Sequence, residues 1–182
     1  PFDRMYNDVE IPLPEPTTLE MIQQLPLPLQ KLILRSPENT MDRRRLEWIY
    51  RSYYGTISHV DREVGAILRT LKETGQLDRT VVVFVSDHGD QLMEHGLTGK
   101  NCFFEASVRV PFIIGLPGRI RPGRYDELVE SVDLFPTLLE LAGIEEPVGC
   151  QGRSLVPLVA PDGRSYQPRD AVFSENVIPE VI

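Results

Sequence analysis

The sequence predicts an α/β fold in which an incomplete sheet is flanked by helices. Three observations carry that reading. Val81 to Val85 is an unbroken run of five β-formers, and Val110-Pro111-Phe112-Ile113-Ile114 is a second apolar run. Between Met41 and Glu73 the apolar residues recur mostly at spacings of three and four, as on one face of a helix.

In chain order, residues 1–40 hold 7 of the 16 prolines and little periodicity, so they read as an irregular connector wrapped over a surface. Leu19-Glu20-Met21-Ile22 and Leu32-Ile33-Leu34 read as short helical turns within it. The long helix from about Met41 to Glu73 takes Asn39 or Thr40 as N-cap and stops at Gly75. Most of its apolar stripe of Leu46, Ile49, Tyr53, Ile57, Val60, Val64, Ile67, Leu68 and Leu71 is expected to be core. Tyr53 and Tyr54 are therefore not assigned to substrate, and His59, off the stripe's centre, takes a structural or surface role.

A continuous apolar strand such as Val81–Val85 is expected in a sheet covered on both faces. A glycine-studded loop follows over about residues 87–106. The second strand carries Pro111 near its start, as strand prolines must be placed. Gly118 to Arg124 makes a turn. Ser131 or Asp133 opens a helix ending at Gly143, with Pro136 tolerated in its first turn. Residues 144–170 are loop-rich, and Ala171-Val172-Phe173-Ser174 reads as a further strand. The sheet would be incomplete, and open strand edges invite pairing, so a homodimer or swapped arrangement is an expectation.

Composition bounds the function. A chain of 182 residues with 41% hydrophobic content supports one core-bearing domain. A net charge of −8 argues against nucleic acid as a partner, and Arg43-Arg44-Arg45, the only basic run, reads as a solvated helix face. No apolar stretch approaches the roughly 20 residues that span a membrane. Cys102 and Cys150 could pair, but nothing fixes their geometry, and the compartment stays open. Pro1-Phe2-Asp3 has neither initiator Met nor signal peptide, and the sequence reads as beginning mid-protein.

The chemistry gathers where the first strand ends. Ser86-Asp87-His88-Gly89-Asp90 follows Val85 directly, and Lys100 follows His88 by twelve residues. Ligands of open α/β sheets bind beyond the carboxyl ends of strands. There, Asp87 and His88 offer a carboxylate oxygen and an imidazole nitrogen to one cation, with Lys100 near enough to meet an anion. Singly, Asp87 reads as a turn cap, His88 as a core histidine and Lys100 as a surface lysine. Together, among Gly89, Gly96 and Gly99, they point to a site. His95 stands between a loop-fixing and an acid–base role, the former favoured. Asp90, Glu94 and Glu105 read as solvated or loop-fixing carboxylates, and Arg109 as the partner of a carboxylate in the fold.

The ordered set Ser86-Asp87-His88-Gly89-Asp90-Gln91-Leu92, Glu94-His95-Gly96-Leu97, Gly99-Lys100, Phe104-Glu105 and Val108-Arg109-Val110-Pro111 resembles the sulfatase family of the alkaline phosphatase superfamily. Tyr53-Tyr54-Gly55 with Ser58-His59-Val60-Asp61 resembles the long helix before that family's metal strand. Val132-Asp133-Leu134, Pro136-Thr137-Leu138-Leu139, Leu141-Ala142-Gly143 and Gln151-Gly152-Arg153-Ser154-Leu155 resemble its later helix and loop. The resemblance implies an alkaline phosphatase-like α/β sandwich, with residues 41–160 as the C-terminal part of its catalytic domain and 161–182 as a linker leading into a small C-terminal subdomain.

The resemblance also implies that Asp87 and His88 hold a divalent cation, usually calcium, and that Lys100 contacts the sulfate. Because calcium prefers oxygen ligands, His88 keeps manganese, magnesium and zinc in play. The family's nucleophile is a formylglycine made within a Cys/Ser-x-Pro-x-Arg motif, and this chain has none: Cys150-Gln151-Gly152-Arg153 puts glycine where the proline belongs. The implied function is part of a sulfuric ester hydrolase, acting on a sulfate ester with a nucleophile from the missing upstream part of its domain, and inactive alone. A phosphonate or phosphate ester hydrolase of the superfamily, or a non-catalytic module, are the alternatives. Members of the family are often periplasmic, secreted or lysosomal.

Overall fold

A computed structural model describes residues 2–36, 41–160 and 163–175. They form two compact units. One comprises the residues up to Arg69 together with His88–Val110; the other comprises Thr70–Asp87 together with the residues from Pro111 onward.

In the first unit, the proline-rich segment forms α1 (Leu19–Gln23) and α2 (Leu27–Arg35). Both expected turns exist, the second as a longer helix with Pro28 in its first turn, where a missing N–H costs nothing. The segment supplies core as well as surface cover. Ile22 and Ile33 are buried with Leu97 and Cys102, and Leu25, Leu29, Leu32 and Phe104 pack around them.

The long helix, α3 (Arg43–Glu73), matches the periodic stretch. The expected caps Asn39 and Thr40 lie outside the described residues; Asp42 caps the helix, its Oδ1 accepting from Arg45 N at 2.8 Å. The helix stops at Gly75, where Gln76 N returns to Leu71 O at 2.8 Å. The stripe is a correction. Tyr53, Ile57, Val60 and Ile67 are exposed, whereas Tyr50 and Gly55 are buried. The N-terminal segment has taken a neighbouring face instead: Tyr6 packs edge-on against Tyr54 at 5.5 Å, bonds the Ser58 hydroxyl at 2.7 Å, and accepts from Arg51 Nε on its carbonyl at 3.0 Å. Periodicity reports which face is apolar, not which partner reaches it.

In the second unit, β1 (Val82–Val85) pairs antiparallel with β4 (Phe112–Gly115), register Val83 to Ile114 and Phe84 to Ile113. Two-sided cover is not found: Phe84, Val85 and Ile113 are exposed, because the described sheet has only these two strands. A short 3₁₀ turn (Ser131–Asp133) leads into α5 (Leu134–Ala142), with Gly143 at its C-terminus as expected. Leu116, Leu141 and Val156, the last in α6 (Val156–Val159), form the core of this unit. Residues 171–175 make no strand, since no ladder partner meets them; Phe173 N instead donates to Glu130 Oε1 at 2.9 Å.

The glycine-studded loop has more structure than expected. Within it, β2 (Gln91–Leu92) pairs antiparallel with β3 (Thr98–Gly99), and α4 (Glu105–Val108) follows. Both cysteines are free thiols, Cys102 buried and Cys150 partly so.

Candidate metal and anion site

The β2–β3 hairpin is built to hold a shape. Gly89 N donates to Ser107 O at 2.8 Å, and any side chain on Gly89 would put its Cβ 1.9 Å from Ala106 O, so only glycine fits. Gln91, fully buried, meets the Ser107 hydroxyl at 3.2 Å. Met93 N closes the hairpin on Leu97 O at 2.8 Å, with Met93 and His95 both in the left-handed region. That conformation is uncommon for residues with a side chain, and at His95 it is held by a stack of the imidazole on Phe104, with centroids 4.0 Å apart. Leu97 plugs the core beneath.

From α3, the Tyr50 hydroxyl donates to Leu92 O at 2.9 Å. Burial, with Glu94 and Tyr54 adding negative character, pushes the Tyr50 phenol up to about 12, so it remains a donor.

His88 and Lys100 meet on this frame. His88 Nδ1 lies 2.7 Å from Gly89 O. A carbonyl can only accept, so Nδ1 carries the proton and the Nε2 lone pair is left as an acceptor. Lys100 Nζ contacts that Nε2. An ammonium group thus sits on the imidazole nitrogen that would coordinate a metal, and the Nδ1–H to carbonyl bond is the outer-shell arrangement that orients histidine ligands. Asp87, which ends the β1 segment, is exposed and precedes His88 directly in the chain. By donor type, a carboxylate oxygen and an imidazole nitrogen suit a divalent cation, but Lys100 Nζ has to leave Nε2 before His88 could ligate one. No group of three His, Cys, Asp or Glu side chains able to hold a metal exists among the described residues.

The remaining candidates separate by environment. Asp90 fixes the loop, accepting from Gly99 N at 3.0 Å. Arg109 pairs with Glu105 at 3.3 Å on the surface. His59 is exposed beside Glu63 and Phe2.

Sequence reasoning missed the strongest electrostatic cluster. Asp133, read as a helix opener, is fully buried, and Arg169 reaches it with both terminal nitrogens while Nε faces Glu130 at 3.4 Å. Asp133 also accepts from Arg153 N at 2.7 Å and Glu130 N at 2.8 Å. Burial pushes the Asp133 carboxyl up, but Arg169 and the two amides outweigh it and hold the group below its ordinary value. A partner 36 residues away leaves no signal in local spacing.

The model of the sulfatase family matches residues 17–144. An arylsulfatase of Clostridium perfringens is 34% identical over 176 residues, 94% of this chain and 36% of its own length. A choline-sulfatase of Rhizobium meliloti is 39% identical over 160 residues, 85% of this chain and 31% of its own length. Among solved structures, a phosphonate monoester hydrolase of Silicibacter pomeroyi superposes with a TM-score of 0.77 at 30% identity, over 90% of this chain and 35% of that one. The chain therefore spans about a third of the length of the relatives it matches. The motif order along residues 50–158, the α/β architecture and the family match agree: this chain belongs to the sulfatase family, within the alkaline phosphatase superfamily.

Proposed function

We propose that the chain is the metal- and anion-handling part of a sulfuric ester hydrolase. The observation that carries the reading is the His88–Lys100 contact on a stiff hairpin directly after Asp87, at the end of the first strand segment. Asp87 and His88 would hold one divalent cation, calcium first, with manganese, magnesium and zinc as the other candidates; on binding, the cation would displace Lys100 Nζ from Nε2 and free the ammonium for the anion. A bound cation supplies Lewis-acid stabilisation of negative charge on oxygen. Lys100 supplies a positive charge for the sulfate, strengthening as negative charge develops. His95 takes a structural role, since its ring is engaged by Phe104.

The nucleophile, a formylglycine, would come from an upstream part of the same domain, which is also the principal partner in this reading. Residues 41–160 belong to the catalytic domain in this division, with 161–182 leading into the small C-terminal subdomain. The exposed edge residues Phe84 and Ile113 support a sheet that another segment or a second copy extends. On this reading the 182 residues alone do not turn over substrate.

A second reading, hydrolysis of phosphonate monoesters, is favoured by the superposition on the Silicibacter pomeroyi enzyme. A tetrahedral anion beside a cation and a lysine serves both substrates. The test is the whole encoded protein assayed on p-nitrophenyl sulfate and p-nitrophenyl phenylphosphonate, with Lys100→Ala beside it. Sulfate turnover that falls about a hundredfold in Lys100→Ala supports the proposal. Turnover of the phosphonate alone replaces it with the second reading, and turnover of neither leaves a non-catalytic module.

A further inference from the structure

Lys100 is exposed, on a long flexible side chain, yet its ammonium is directed to one atom of His88. Something must aim it. Lys100 leaves the hairpin directly after Gly99, whose φ of +77° turns the chain out of the β3 ladder. The Gly99 amide is held at 3.0 Å by Oδ1 of Asp90, two residues after His88 and one before β2.

These contacts close a circuit. The chain runs from His88 through Gly89 to Asp90, crosses by hydrogen bond to Gly99, passes to Lys100, and returns to His88 through the ammonium. Two of the three links that fix the relative position of ammonium and imidazole are covalent chain. The third is the crossing to Gly99, which the Asp90 carboxylate makes beside the Gln91–Gly99 pair of the ladder. Asp90 acts on the peptide that carries Lys100.

We infer that Asp90 is a positioning residue for Lys100, setting where the ammonium is presented to a tetrahedral anion. The inference rests on the reading of Lys100 as the anion-contacting group. A carboxylate holding a backbone amide at an exposed site is worth a modest free energy, so the expected effect on turnover is about three- to tenfold. Asparagine keeps an acceptor oxygen at the same place and should preserve the arrangement.

The experiment is a double-mutant cycle in the whole encoded protein with its metal bound, reading kcat/KM on whichever ester it hydrolyses. Asp90→Ala should lose about three- to tenfold, Asp90→Asn less than about twofold, and Asp90→Ala with Lys100→Ala should be no slower than Lys100→Ala alone. A merely structural Asp90 would give the same loss in both backgrounds, and that additivity would overturn the inference. So would an unchanged Asp90→Ala beside an impaired Lys100→Ala. If Lys100→Ala itself leaves turnover intact, the anion role of Lys100 falls instead. The same cycle followed in the metal-free protein through the ¹⁵N resonances of the His88 ring needs no turnover: Asp90→Ala should shift Nε2 only while Lys100 is present, and a shift that persists in the Lys100→Ala background counts against the inference.

Discussion

Asp90 and Asp133 are both carboxylates that accept backbone amides, yet their surroundings give them opposite work. Asp90 is exposed at the edge of the hairpin and holds one N–H, that of Gly99. Asp133 is fully buried and accepts from the guanidinium of Arg169 and from two amides. Around it, the Thr137 hydroxyl donates to Asp133 O at 2.6 Å and accepts from Leu155 N at 2.9 Å. The carboxylate fastens Glu130, Arg153 and Arg169, while Thr137 holds Leu155 and Glu130 holds Phe173, so the cluster ties the start of α5 to the 152–155 turn and the 169–173 segment. Burial sets the difference. A desolvated charge must be completely paired and stabilises the arrangement that pairs it, whereas a solvated one can adjust a local geometry without the fold depending on it.

The comparison breaks first at Asp133. Asp133→Ala leaves the buried Arg169 guanidinium with Glu130 alone and strips two amides of their acceptor, and should cost about 3–5 kcal/mol in urea-induced unfolding. A loss below 1 kcal/mol would mean that water reaches Arg169 and that the cluster is no clamp.

Acid should act on the same group. Because the folded carboxyl lies below its ordinary value of 3.8, the stabilisation is fully present above that value and is lost as pH falls through the depressed folded value. The Tm gap between the wild type and Asp133→Asn should therefore hold steady from neutral pH to about 5 and narrow below 3.8. A gap that narrowed between pH 7 and 5 would point to a different titrating group.

Two tyrosines sharpen the contrast at smaller scale. Tyr50→Phe removes the bond to Leu92 O and should cost about 1 kcal/mol, with faster hydrogen exchange across β2 and β3. Its phenol should also stay protonated in an ultraviolet titration until close to pH 12. The Tyr166 hydroxyl is buried without a hydrogen-bond partner among the described residues. Tyr166→Phe should accordingly leave stability unchanged or raise it slightly, because a desolvated hydroxyl with no partner is a cost. A loss of 1 kcal/mol or more would show that a partner is present in solution.

The site and the clamp differ equally in how much of them can be read along the chain. Asp87, His88 and Lys100 stand out because their chemistry lies within fourteen consecutive residues, between a strand and glycines that only a turn explains. Arg169 carries no such mark; its identity as a partner depends on a closure across 36 residues. Gln91 is similar: a buried amide in a loop is recognisable only once Ser107 is seen beside it. The role of Asp90 lies between these cases. Loop fixing was legible, but the amide that it fixes, and the lysine carried by that amide, were not.

Local pattern by itself determined the long helix and its Gly75 stop, both principal strands and the α5 boundaries. Each follows from periodicity, capping or spacing within a few turns of chain. Tertiary structure alone decided that Tyr6 would cover the Tyr54 and Ser58 face of α3, leaving Ile57 and Ile67 exposed, and that His95 would stack on Phe104. It also decided that Asp133 would serve Arg169, and that Lys100 would be presented to His88 Nε2. The reason is physical. Propensity and amphipathic period are properties of a residue and its near neighbours, whereas burial and ion pairing are properties of whichever distant segment arrives to exclude the water.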